Sequence, residues 1–124
     1  MKRILFACFL LAATCTVTSQ QAQAQTLTVA AFTAKVNLLD SFISVGDMSH
    51  ANATWNDVHN MMMAELGVTK SNIAAATTTS ARTTAQSVND NQGRIYGTVW
   101  GLKSNLATNR TALHTALMNF ASTF

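Results

Sequence analysis

The feature that most limits what this chain can fold into is an apolar line running through its C-terminal third. Val88, Gln92, Ile95, Val99, Leu102, Leu106, Arg110, Leu113, Leu117, Phe120 and Phe124 recur at intervals of three and four residues. That is the repeat of one helical face, sustained for about ten turns at about 3.6 residues per turn. Only Gln92 and Arg110 are polar in the line, and a chain without a single proline contains no covalent obstacle to a long helix. The stripe keeps its phase through Asn89-Asp90-Asn91-Gln92-Gly93, a run whose composition signals a turn.

Two shorter segments precede it. From Leu27 to Val45, Val29, Phe32, Val36, Leu39 and Ile43 mark an amphipathic helix, broadened by Leu38 and Phe42. Gly46 suits its C-terminal cap, and Asp47 or Ser49 the start of the next helix. From Met48 to Leu66, Met48, Ala51, Trp55, Val58, Met62 and Leu66 repeat the pattern, with Gly67 expected to end it. The loop between the two is short, so they form an antiparallel hairpin. From Ser71 to Val88, Ile73, Ala74, Ala81 and Ala85 give a thinner stripe through a threonine-rich stretch, read as a third helix.

Length then bears on architecture. The first two helices span about 28 Å each, whereas an unbroken helix from Ser71 to Phe124 would reach about 80 Å. The sequence therefore predicts an all-α fold, a small up-down helical bundle. It has four helices if the chain breaks near Asn89 to Gly93, the favoured reading, or a helical hairpin plus one long C-terminal helix if it does not.

The N-terminus reads as an export signal. Lys2 and Arg3 precede an apolar run from Ile4 to about Val17, and Ala22-Gln23-Ala24 forms a small-x-small cleavage site. Residues 1–24 are the expected signal peptide, cut after Ala24, and residues 25–124 a single helical domain that is periplasmic or secreted. Cys8 and Cys15 both leave with the signal, so no disulfide framework is expected. No later segment reaches the roughly 18 to 20 apolar residues of a membrane span.

Beyond residue 24, six basic residues face five acidic ones, all scattered singly. That balance leaves no electrostatic footprint for nucleic acid. No acid/base pair of carboxylates, phosphate loop or two-histidine zinc spacing is visible, and Asp47, Ser49 and His50 are too close in sequence to align as a triad. The chain is read as not an enzyme, with no cofactor. Two asparagine-x-threonine matches, at Asn52 and Asn109, are what chance gives in a chain rich in both residues.

One cluster has ligand character. Trp55, His59, Met62 and Met63 lie within about two turns, and imidazole with thioethers suits a soft ion such as Cu(I). The competing reading is packing, because Trp55 and Met62 already belong to the core stripe and methionine is a common gap-filler. Gly93, Gly97 and Gly101 form a second feature. With Val88 as the zero of a helical wheel they fall at about 140°, 180° and 220°, facing away from the stripe, with Tyr96 and Trp100 at about 80° and 120°. Such a row is idle surface or a helix-contact face.

The functional expectation is an exported non-catalytic binding or structural protein acting on an unknown protein partner or by self-association. The alternative is a Cu(I)-type binding protein using His59 and its neighbouring methionines. Membrane-surface binding through Leu106, Leu113, Leu117, Phe120 and Phe124 is a third reading, weakened by the scarcity of positive charge.

Overall fold

The helical period holds throughout the described chain, but the helices break where hydrogen bonding, rather than composition, puts the ends. The computed structural model describes residues 29–124. These fall in two units, residues 1–31, of which 29–31 are described, and Phe32–Phe124, to which all packing below belongs. The expected signal peptide, with Cys8, Cys15 and the cleavage site after Ala24, lies outside the described residues. The described regular structure is all helical: α1 (residues 29–44), α2 (Met48–Ala75), α3 (Thr79–Leu102), a single 3-10 turn (Lys103–Asn105) and α4 (Arg110–Ala121).

The turn between α1 and α2 is set by Gly46. Its φ of 76° is the left-handed conformation that glycine adopts without a steric penalty. There the Gly46 N–H donates to the Ile43 carbonyl at 3.1 Å and the Asp47 N–H to that of Phe42 at 2.9 Å, closing the end of α1. Asp47 then caps α2, accepting from the His50 N–H at 3.2 Å.

Gly67 does not end the second helix, which continues to Ala75. Gly67 lacks the positive φ that Gly46 has, and it sits on an exposed face where its small propensity cost is absorbed. The segment Ser71–Val88 is accordingly two pieces, parted at Ala76–Thr78. Ala76 is extended, and the Thr78 hydroxyl accepts from the Ala81 N–H at 3.1 Å to start α3.

The expected break at Asn89 to Gly93 is absent, and α3 runs through it without interruption. Two of the polar side chains that suggest a turn, Asn89 and Gln92, are instead occupied across the bundle. Asn89 Nδ2 donates to the Leu66 carbonyl at 3.2 Å and to Thr69 Oγ1 at 2.8 Å. Gln92, wholly buried, accepts from the Thr69 hydroxyl at 2.7 Å and donates to that of Thr123 at 2.9 Å. The break falls after Leu102. There Asn109 Nδ2 donates to the Leu102 carbonyl at 2.8 Å and Asn105 Oδ1 accepts from the Thr108 N–H at 3.0 Å, ending one helix and leading into the next. Leu106 remains buried, so the apolar stripe passes the turn in phase.

Side-chain pairs fix the order of the four helices. Lys35 to Asp57 ties α1 to α2, Thr69 to Gln92 ties α2 to α3, and Arg110 to Asp40 ties α4 to α1, while Gln92 to Thr123 fastens α3 to the end of α4. Across α2 and α3 the paired residues run in opposite directions, Thr69 meeting Gln92 and His59 meeting Tyr96, as in an antiparallel pair. The core is Phe32, Val36, Leu39 and Ile43 of α1, Ala51, Trp55, Val58 and Met62 of α2, Val99 of α3, Leu106, and Leu113, Leu117 and Phe120 of α4. Phe32, Phe120 and Phe124 close one end, with ring centroids 5.4 to 5.8 Å apart. Beyond that end no residue between Thr69 and Gln92 is fully buried.

The two glycine positions make opposite predictions. Gly67→Ala, whose added methyl group meets nothing within 4 Å, is expected to stabilise the fold by about 0.5 to 1 kcal/mol in urea denaturation. Gly46→Ala, forced into a left-handed backbone, is expected to cost about 1 kcal/mol or more. A loss at both positions would mean that α2 ends at Gly67.

Candidate functional site

Antiparallel pairing of α2 and α3 brings two i, i+4 aromatic pairs together. Trp55 and His59 project from α2, Tyr96 and Trp100 from α3. His59 is the hub: its ring centroid lies 6.2 Å from that of Trp55, 5.8 Å from Tyr96 and 5.5 Å from Trp100. Its Nε2 is hydrogen-bonded to the Tyr96 hydroxyl at 2.9 Å. Tyr96 stacks on Trp100 at 6.1 Å, and Lys103 lays its ammonium 4.3 Å from the Trp100 ring centre and 5.8 Å from that of Trp55. The cluster is graded from inside to outside: Trp55 is buried, His59 and Tyr96 are half-buried, and Trp100 is 49% exposed.

The residues singled out from the sequence are divided by the core boundary. Trp55 and Met62 are core, Met62 with no exposed surface, while Met63 is 47% exposed on the outer side of α2. His59 stands between, with one ring nitrogen engaged by Tyr96. A thioether ligand from Met62 would require that side chain to leave the core, whereas the His59 Nδ1 lies outside the bond to Tyr96. Among the described residues no three histidine, cysteine, aspartate or glutamate side chains gather as a metal-binding group. Sequence spacing found His59 but missed Tyr96, Trp100 and Lys103 as its neighbours. The signal lay in the helical wheel, where Tyr96 and Trp100 flank the stripe on one side.

Gly93, Gly97 and Gly101 are all exposed, and a Cβ on any of them would meet open space within 4 Å. The outer face of α3 is therefore bare backbone bordered by Trp100. On its other side, α3 and α4 enclose an open groove of about 340 Å³ whose lining includes Ile95 and Asn119 and whose sole charge is Arg94, hydrogen-bonded to Asn91 at 2.8 Å.

Other polar groups serve the fold. Asp47 and His50 lie at the exposed start of α2, where the His50 N–H and then its ring hold the Asp47 carboxyl below the usual range. His50 also stacks on Phe42 at 5.1 Å, and His114 meets Asn37 at 3.2 Å. The two-pronged hydrogen bond from Arg110, at 2.8 and 2.9 Å, lowers the pKa of Asp40. That pair contributes stability above the unfolded carboxyl's value, lost as pH falls through the lowered one. Glu65 moves the other way, raised by burial and only partly offset by the nearby Gln92 amide. The residues proposed for a membrane surface are unavailable to one, since Leu106, Leu113, Leu117 and Phe120 fill the core. No helix among the described residues is long and apolar enough to cross a membrane. Comparison with protein-family models, curated proteins and solved structures found no match to the chain.

Glu65 generates a pH prediction. Between the ordinary carboxyl value and its raised folded value, the native state holds more protons than the unfolded chain, so stability falls as pH rises through that window. Glu65→Gln is expected to be more stable than the parent at about pH 7 and to lose that advantage below about pH 4, as read by urea denaturation across pH. An advantage independent of pH would place the Glu65 effect outside ionisation.

Proposed function

We propose that the chain is an exported, non-catalytic helical protein that works by association, with a protein partner or with itself, through the outer face of α3. The observation that carries this reading is Trp100, half-exposed beside three consecutive turns of helix that each present a glycine. A large aromatic next to bare backbone offers a knob and a smooth bed on the same face, and aromatic anchors supply a disproportionate share of interface energy. Close backbone approach is what rows of small residues permit. Export is supported by the charged, apolar and small-x-small sequence of residues 1–24. The absence of grouped catalytic side chains in the sequence motivates the non-catalytic assignment.

Sedimentation of residues 25–124 with and without Gly97→Leu tests the proposal. A Cβ at this exposed position meets nothing within 4 Å, so the fold is expected to stand or gain about 1 kcal/mol of helix propensity. Association, by the chain itself or with a partner recovered by pull-down, is expected to weaken at least tenfold, about 1.4 kcal/mol. Association unchanged by Gly97→Leu would remove α3 from the account.

A further inference from the structure

Lys103 is a cation held by aromatic rings. The ion pairs of the described residues join Lys35 to Asp57, His50 to Asp47 and Arg110 to Asp40, and none includes Lys103. Its Nζ lies instead 4.3 Å from the centre of Trp100 and 5.8 Å from that of Trp55. The Trp100 ring is in turn braced by Tyr96 and His59, and His59 is fixed by its hydrogen bond to the Tyr96 hydroxyl. The electron-rich ring faces that attract one ammonium are thus held in place by neighbours and not by the lysine itself.

We propose that this cluster is a recognition site for quaternary ammonium groups, with Lys103 as the built-in occupant that a ligand displaces. A primary ammonium is compact and strongly hydrated, and at an exposed aromatic face it gains little over its hydration. A trimethylammonium group has no N–H to leave unsatisfied, is weakly hydrated and presents methyl groups to the rings, so the same faces favour it more. Displacement does not require the backbone to move. The Lys103 N–H stays bonded to the Val99 carbonyl at the end of α3, and only the flexible four-carbon side chain swings into water. Asp57 on the same helix as Trp55 and His59 is engaged by Lys35 at 2.7 Å, so cation binding rests on the rings. The site takes the alkylammonium chemistry common to a free choline-like solute and a phosphocholine headgroup. It goes beyond the association proposed above and does not depend on it.

The protein has two tryptophans, Trp55 and Trp100, and both belong to the cluster, so intrinsic fluorescence reports on this site alone. Titration of residues 25–124 with tetramethylammonium chloride, against sodium chloride at matched ionic strength, is expected to give a saturable change that the sodium salt does not. Lys103→Ala, which keeps every ring and removes the competitor, is expected to lower the half-saturating concentration by about two- to fivefold. Trp100→Ala, at a half-exposed position that leaves the core intact, is expected to abolish saturation in the remaining Trp55 signal. At protein concentrations where sedimentation shows the parent chain to be monomeric, Gly97→Leu is expected to leave the titration unchanged, which separates this inference from the association reading. Saturation by free choline chloride without co-sedimentation with phosphatidylcholine vesicles assigns a soluble ligand, and co-sedimentation abolished by Trp100→Ala assigns a headgroup. A linear response equal to that of sodium chloride, or a half-saturation unmoved by Lys103→Ala, overturns the proposal.

Discussion

One fully buried glutamine fixes the register of this bundle. Gln92 has a donor and an acceptor to satisfy away from water, and leaving either one unpaired would cost about 1 to 3 kcal/mol. Its carbonyl takes the Thr69 hydroxyl from α2 and its amide gives to the Thr123 hydroxyl beyond α4, so a single side chain spans three segments. Sliding α3 by one turn against α2 would break the first bond, and withdrawing the C-terminal end would break the second. Asn89, one turn earlier, adds two bonds to the same point of α2. Among the described residues no buried side-chain nitrogen or oxygen is left without a partner. Hydrophobic stripes tolerate small slips, whereas this network is satisfied in one arrangement.

The same network explains what the sequence made legible and what it concealed. Helical periodicity identified the fold class and nearly all of the core, because Phe32, Val36, Leu39, Ile43, Trp55, Val58, Met62, Val99 and Leu117 recur on single faces. It also read Gly46 and Asp47 correctly, since a left-handed glycine followed by an aspartate cap is a local signal. It failed at Asn89 to Gly93, where amide-rich composition signals a turn only if those amides face water. Asn91 does, but Asn89 and Gln92 face Thr69, Leu66 and Thr123, which are about 20 or more residues away and invisible to a local window. The break at Lys103 to Asn109 was hidden for the converse reason. Leu106 keeps the stripe in phase while Asn105 and Asn109 satisfy the backbone groups that the interruption frees.

The candidate site follows from this register. Once Thr69 sits opposite Gln92, the antiparallel geometry places His59 against Tyr96 and Trp55 near Lys103, one helix counting down as the other counts up. The sequence marked His59 and its methionines as a cluster within one helix, whereas the structure makes His59 part of a cluster between two. Met62 and Met63, adjacent in sequence, are separated by the 100° rotation between helical neighbours, one into the core and one into water. Trp100 and the glycines beside it remain on the outside, exposed on one face of α3.

α3 passes unbroken through a polar run because Gln92 and Asn89 are paired across the bundle. Native-state hydrogen exchange of the backbone amides from Asn89 to Gly93 tests it most directly. They are expected to exchange as slowly as those of Ile95 to Val99 in the parent chain, and to lose about 1 to 3 kcal/mol of protection in Gln92→Ala. Rapid exchange at Asn89 to Gly93 in the parent, with protection on either side, would show a turn there and contradict the account.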